Sequence, residues 1–325
     1  MNITFGTDGW RGLLDSEFNE QSVSLVAQAF SDYSTSVTAH PSIVIGYDGR
    51  RNSKLFAELF ASVLEGNGIT YFLSDRVIPT PIVSYYVNAK QLNFGVMITA
   101  SHNPPEYNGI KFKASYGGPF FTEETHKVEA LIGRTAVKKA INKLKTTDLS
   151  LIYKDHLETI VDFKKIAQSK LSVVVDSMSG AGGTMLQDLL SRYGININTI
   201  YGTPNDNFSG RLAEPIEKNL LPLRQELQRN KYSLGVATDG DADRLGVMLD
   251  NGNWLSSQET ILLLADFLKN NKEIAGDIIK TSSVTNLLEV NFSSSECNVH
   301  DVQVGFKYIC EKMIETNAAF GAEES

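Results

Sequence analysis

Along the chain, apolar residues follow helical and strand spacing in turn. Val23, Val26, Ala27 and Phe30 recur at helical spacing and predict a helix over 22–33, and the apolar run Ile43-Val44-Ile45 predicts a buried strand over 42–48. A helix over 53–65 with Gly66 near its end, a strand over 70–73, a helix over 81–87 and a strand opening at Phe94 continue the alternation. It returns later as a strand at 171–175, a helix at 184–193, a strand at 195–200, a helix at 221–228 and strands at 234–237 and 245–249. A hairpin turn at 250–253 leads to a helix over 257–268, a strand over 277–281 and a helix over 309–315. Such alternation predicts an α/β protein with successive mixed, mostly parallel sheets covered by helices. Ligands in such sheets collect at the carboxyl ends of strands.

Residues 122–144 are amphipathic and increasingly basic, with Lys138, Lys139, Lys143 and Lys145 close together. No aromatic residues are interleaved for base stacking, so these lysines read as a solvated helical face and linker. A boundary near 145–150 follows, with a helix over 153–163 opening the next unit. The expected domains are 1–147, 148–252 and 253–325.

Two loops carry the candidate chemistry. After the apolar run Val96-Met97-Ile98 comes Thr99-Ala100-Ser101-His102-Asn103-Pro104-Pro105, in which the prolines stop both strand and helix and leave Ser101 and His102 on a polar loop at a strand end. Asn108-Gly109 is a turn signal that would send Lys111 and Lys113 back toward that loop. Ser101 fits a hydrolase nucleophile poorly, since Gly-x-Ser-x-Gly is absent. As a carrier of a phosphoryl group it would need nearby cations, backbone donors and a divalent metal. The matching carboxylate cluster is Asp239-Gly240-Asp241-Ala242-Asp243-Arg244, which follows the apolar run 234–237. Three carboxylates at alternate positions repel one another unless a cation lies between them, and oxygen-only ligands favour a hard ion such as magnesium. An EF-hand loop needs glycine at its sixth position, where Arg244 stands. The glycine-rich segment 176–183 does not complete Gly-x-Gly-x-x-Gly, because Met185 occupies the last position, and it reads as a structural turn.

Composition narrows the classes. A chain of 325 residues exceeds what one core usually holds, and 42% hydrophobic with 21% charged residues is globular. A net charge of -8 argues against a general nucleic-acid surface, so anionic substrates must meet local cations. Cys297 and Cys310 form no metal-ligand pair, and neither a basic-then-apolar leader nor a bilayer-length apolar run is present. A cytoplasmic protein acting on no membrane and no nucleic acid is expected.

Four separated segments then resemble one family. The stretch from Thr99 to Pro104 is similar to the phosphoserine loop of the alpha-D-phosphohexomutases, and that from Asp239 to Arg244 to their metal loop. The segment Phe5-Gly6-Thr7-Asp8-Gly9-Trp10-Arg11-Gly12 resembles their amino-terminal motif, and Gly321-Ala322-Glu323-Glu324-Ser325 the start of their sugar-recognition loop. The resemblance implies interconversion of glucose 1-phosphate and glucose 6-phosphate through a hexose 1,6-bisphosphate, with Ser101 phosphorylated. Phosphomannomutase, phosphoglucosamine mutase, and a truncated, catalytically incomplete sugar-phosphate-binding chain are the alternatives. It further implies Ser101, His102, Lys111 and Arg11 as catalytic residues, and Mg2+ held by Ser101, Asp239, Asp241 and Asp243. Arg244, Lys280, Lys307, Glu323 and Ser325 would meet the substrate, and the hexose bisphosphate would act as activator. By the family's length, the third domain is expected to be incomplete and a fourth, phosphate-clamping domain to be missing.

Overall fold

The computed structural model describes residues 3–6 and 9–324. Thr7, Asp8 and Ser325 lie outside the described residues. The chain divides into two compact units, one ending at Asn253 and one beginning at Trp254.

The first unit opens with β1 (Trp10–Leu13), α1 (Glu20–Val37), β2 (Ser42–Tyr47), α2 (Ser53–Gly66), β3 (Thr70–Ser74), α3 (Thr80–Ala89), β4 (Phe94–Ile98), β5 (Tyr107–Lys113), α4 (Thr122–Leu131) and β6 (Thr146–Thr147). These strands form a sheet in the order β1-β5-β4-β2-β3-β6. The strands β4, β2, β3 and β6 are parallel, while β5 is antiparallel to both β4 and β1. Burial of both faces explains the near-continuous Val/Ile runs. On one face Phe30 of α1 stacks on Phe112 at 4.4 Å and meets Phe60 and Phe94 edge-on. On the other, Ile82, Val83 and Val87 of α3 pack on Val44 and Met97. Asn19 caps α1, accepting from the backbone N–H groups of Gln21 and Ser22, while the Ser22 hydroxyl accepts from the Asn19 N–H.

Three expectations for this region are corrected. Asn108-Gly109 is not a turn; both residues lie inside β5, and the chain reverses earlier, through 99–106. Glycine is needed at 109 because a Cβ there would lie 2.6 Å from the carbonyl oxygens of both Thr99 and Trp10, which crowd it from the two flanking strands. The amino-terminal motif, whose glycines on either side of Asp8 read in the sequence as a backbone-dominated loop, contributes an edge strand that sets Arg11 opposite Gly109. The basic segment is helical only to Leu131; at Gly133 the backbone turns to φ +72°, and the chain then runs past α2, with Ala140 N–H donating to Ser62 O at 2.9 Å.

Within the same unit follow α5 (Ser150–Ile160), α6 (Phe163–Gln168), β7 (Ser172–Asp176), α7 (Met185–Ser191), β8 (Asn196–Ile200), α8 (Leu221–Arg229), β9 (Leu234–Thr238) and β10 (Leu245–Leu249). The expected helix over 153–163 is thus two helices broken near Val161. The parallel strands β8, β7 and β9 lie in that order, with β10 antiparallel against β9. The loop 239–244 is therefore the connection of a β-hairpin at the carboxyl end of β9.

The second unit contains β11 (Trp254–Leu255), α9 (Ser257–Asp266), β12 (Ile278–Thr281), α10 (Leu287–Phe292), β13 (Val299–Val302), α11 (Phe306–Thr316) and β14 (Phe320–Ala322). Ser256 and Glu259 form a capping box at the start of α9. Strands β13, β12 and β14 are parallel in that order over a core of Ile261, Ile278, Val284 and Leu288. The α/β class with successive, mostly parallel sheets and covering helices is the observed fold. Among the described residues no helix is long and apolar enough to cross a membrane.

Candidate active site

Ser101 sits where β4 turns toward β5. It is 1% exposed, so the hydroxyl is enclosed rather than displayed on the surface. Its backbone is left-handed at φ +55°, a conformation costing a non-glycine residue roughly 1–2 kcal/mol and held only when surrounding contacts impose it. One such contact is the Thr99 hydroxyl, which accepts from Ser101 N–H at 2.8 Å.

Within the first unit the hairpin loop of β9 and β10 meets the serine loop. Ser101 Oγ donates to Asp239 Oδ2 at 3.1 Å. Gly240 lies so close to the serine loop that a Cβ on it would be 2.5 Å from Ser101 O. Asp239, Asp241 and Asp243 each offer a carboxylate oxygen within 4.8 Å of the others. Asp239 and Asp241 are fully buried and Asp243 is partly open. Lys111, carried in by β5, donates to Asp241 Oδ2 and Asp243 Oδ2, each at 3.0 Å. Thr80, at the start of α3, donates its hydroxyl to Asp241 Oδ2 at 2.6 Å and its N–H to Asp241 O at 2.9 Å. One oxygen of Asp241 is thereby taken, while the other, Oδ1, is buried and receives no hydrogen bond from the described residues. A buried carboxylate oxygen without a donor is costly, and a hard cation beside it would remove that cost. The donor set fits a divalent ion of the magnesium class.

Electrostatics separate the carboxylates. Burial and then the charges of Asp241 and Asp243 push Asp239 well above the usual carboxylate range. Burial also works against ionised Asp241, but the Lys111 charge and then the hydrogen bonds from Thr80 and Lys111 win and hold it below that range. His102 places Nδ1 3.4 Å from Ser101 Oγ. Burial, then the charges of Arg244, Arg11 and Lys111, lower its pKa to about 4, so the imidazole is neutral at pH 7 and able to accept a proton. Arg11 donates to Asn103 Oδ1 at 2.7 Å, fixing a cation on the serine loop. Arg244 donates its N–H to Asp239 Oδ1 at 3.1 Å.

Ser101, His102, Lys111, Arg11, Asp239, Asp241, Asp243 and Arg244 are thus gathered in one place. Lys280, Lys307 and Glu323 belong to the second unit. Lys307 and Glu323 follow the carboxyl ends of β13 and β14, and Lys307 Nζ lies 4.8 Å over the Tyr308 ring. Beside Glu323, Glu324 accepts from the Thr281 hydroxyl at 3.0 Å. Lys280 is different: its side chain is fully enclosed, ion-paired with Asp301 and with Glu289 at 3.2 Å, and donates to Val284 O. Its charge is balanced within its own unit. Thr80 and Gly240 were not singled out from sequence. A further unused signal was Asp48-Gly49-Arg50 after β2, since the carboxyl-end rule applies to β2 as well as β4.

A buried serine facing a carboxylate triad and flanked by cations, on strand-end loops of neighbouring α/β layers, defines a phosphoryl-handling enzyme. Comparison with known proteins agrees. Sequence profiles described as phosphoglucomutase/phosphomannomutase, alpha/beta/alpha domains I, II and III, match residues 2–138, 152–252 and 256–325. A protein of Methanosphaera stadtmanae named "Probable phosphoglucosamine mutase" is 32% identical over 99% of this chain and 70% of its own length. A phosphoglucomutase/phosphomannomutase of Thermococcus kodakarensis is 30% identical over 100% of this chain and 72% of its own. A crystal structure of a candidate phosphomannomutase from Thermus thermophilus superposes with a TM-score of 0.90 at 33% identity, covering 99% of this chain and 74% of that one. The chain belongs to the phosphoglucomutase/phosphomannomutase family, the alpha-D-phosphohexomutases, and is an isomerase of that type.

Proposed function

We propose that the chain interconverts glucose 1-phosphate and glucose 6-phosphate, with phosphorylated Ser101 as the phosphoryl carrier. The observation that supports this reading most is Ser101 Oγ held 3.1 Å from Asp239 in a triad whose Asp241 Oδ1 has no donor. In the forward half-reaction the bond from Ser101 Oγ to phosphorus breaks and one to the free sugar hydroxyl forms, giving hexose 1,6-bisphosphate. The hydroxyl proton leaves the sugar oxygen, and the serine oxygen gains one. The bisphosphate then returns its other phosphoryl group to Ser101, and this return also makes it the activator of an unphosphorylated enzyme.

Asp239, Asp241 and Asp243, with a Ser101 phosphoryl oxygen, would hold Mg2+, which when bound neutralises charge on the transferring group. Lys111 and Arg11 add positive charge beside the serine loop, and Arg244 does so from the triad loop. Neutral His102 is placed to take the proton at Ser101 Oγ or return it. Lys307, Glu323 and Ser325 are assigned to the sugar phosphate. Lys280, the remaining substrate candidate from sequence, is spoken for by its own carboxylates.

The test is to incubate the protein with glucose 1,6-bisphosphate and magnesium and map the phosphate by peptide mass. Label on Ser101, and its loss in Ser101→Ala together with turnover, supports the reading; label elsewhere, or turnover by Ser101→Ala, refutes it. Comparing kcat/KM for the glucose, mannose and glucosamine phosphates decides between the glucose reading and its mannose and glucosamine rivals.

A further inference from the structure

We infer that Arg50 is the positioning residue of the serine loop and that Phe208 locks it from the second α/β layer of the same unit. The Arg50 side chain has no solvent exposure. Its guanidinium donates to three main-chain carbonyls of the serine loop and one at the start of β5: Ser101 O and Asn103 O, each at 2.6 Å, Pro104 O at 2.8 Å and Tyr107 O at 3.0 Å. A planar fork of fixed donors can span four acceptors in this way, whereas the ammonium of lysine is a point donor on a flexible stem.

Asp48 completes the frame. Arg50 Nε lies 3.2 Å from Asp48 Oδ2, and the same oxygen accepts from the Thr99 hydroxyl at 2.6 Å. Thr99 Oγ1 accepts in turn from Ser101 N–H. Both backbone polar groups of Ser101 therefore trace to Asp48, the N–H through Thr99 and the carbonyl through Arg50. This accounts for a serine kept at φ +55°, and with it for where Oγ points.

Phe208 ties this frame to the triad loop. Its ring centroid lies 4.8 Å from the Arg50 guanidinium carbon, and its ring edge would be 3.2 Å from a Cβ on Gly240. The ring is fully buried on a residue that itself has φ +52°. One aromatic ring thus touches the arginine that shapes the serine loop and packs beside the glycine of the carboxylate loop.

The inference rests on Ser101 as phosphoryl carrier, and two readouts keep the claims separate. In Arg50→Lys we expect sugar-phosphate affinity within about threefold of wild type but a single-turnover rate of transfer between hexose bisphosphate and Ser101 lowered about 100-fold. Hydrogen exchange at the Ser101, Asn103 and Tyr107 amides should be more than about tenfold faster in the folded variant. Phe208→Leu, which keeps an apolar side chain and loses the ring, should slow transfer about tenfold and serves if Arg50→Lys does not fold. Transfer within about threefold of wild type in a folded variant, or unchanged exchange at those amides, overturns the role of Arg50. If wild type accepts no phosphoryl group at Ser101, the carrier reading falls and exchange alone decides whether Arg50 shapes the loop.

Discussion

Gly240→Ala is the smallest change that sets the two catalytic loops against each other. A Cβ at 240 would stand 2.5 Å from Ser101 O, 3.2 Å from Phe208 Cζ and 3.3 Å from its Cε1. The oxygen must give by about 0.5 Å to reach 3.0 Å, below which such contacts essentially never occur, and by nearly twice that for ordinary contact. It cannot yield alone, because the same oxygen accepts from Arg50 and belongs to a residue already in a left-handed conformation. Overpacking of this kind costs about 1–3 kcal/mol of stability. A displacement approaching 1 Å at a reacting group costs about 100-fold in rate. The assay is the rate of Ser101 phosphorylation by hexose bisphosphate beside a thermal melt, with Gly6→Ala as control, since among the described residues a Cβ there comes no nearer than 3.6 Å, to Gly9 O. A Gly240→Ala protein with wild-type stability and wild-type transfer would refute the close approach of the two loops.

Asp241→Asn should weaken magnesium binding by at least about tenfold in calorimetry on the unphosphorylated protein, because it removes the negative charge at the orphaned oxygen and loosens Lys111. Equal binding by the two proteins would remove the triad from the metal site. Asp277, whose carboxylate accepts from Asn298 N–H at 2.8 Å and pairs with His300 at 2.7 Å, is held below its usual range by the Asn298 hydrogen bond first and then by His300. A depressed carboxylate stabilises the fold above its unfolded pKa and loses that stabilisation as pH falls through the folded one. Asp277→Asn should therefore lower stability modestly near pH 7, with the gap to wild type closing below about pH 4 in melts followed against pH. Lys280→Met should destabilise the second unit by about 1–3 kcal/mol, since Glu289 and Asp301 keep their charges without their common partner. Denaturant titration measures it, and an unchanged midpoint would return Lys280 to the pool of free cations.

Much of this molecule is legible in one dimension because its signals are local. Apolar runs such as Ile43-Val44-Ile45 and the spacing of Val23, Val26 and Phe30 declare strand and helix by period alone. Serine and carboxylate loops announce themselves because chemistry of this kind needs particular residue types close together at strand ends. What sequence left undecided depends on neighbours far along the chain. Asn108-Gly109 looks like a turn, but Thr99 and Trp10 close on it from both sides and make the glycine a strand residue. Lys280 looks like a cation for substrate until Asp301 on the adjacent strand and Glu289 on α10 enclose it. Thr80 carries no local mark and Arg50 only its place after a strand, because what defines them is four carbonyls more than fifty residues away and a carboxylate 161 residues away. Sequence by itself determined most of the elements, the fold class and the residue types of the site. The tertiary structure alone decided which buried charges are balanced within the protein and which oxygen is left without a donor, because both follow from distances between segments that only folding brings together.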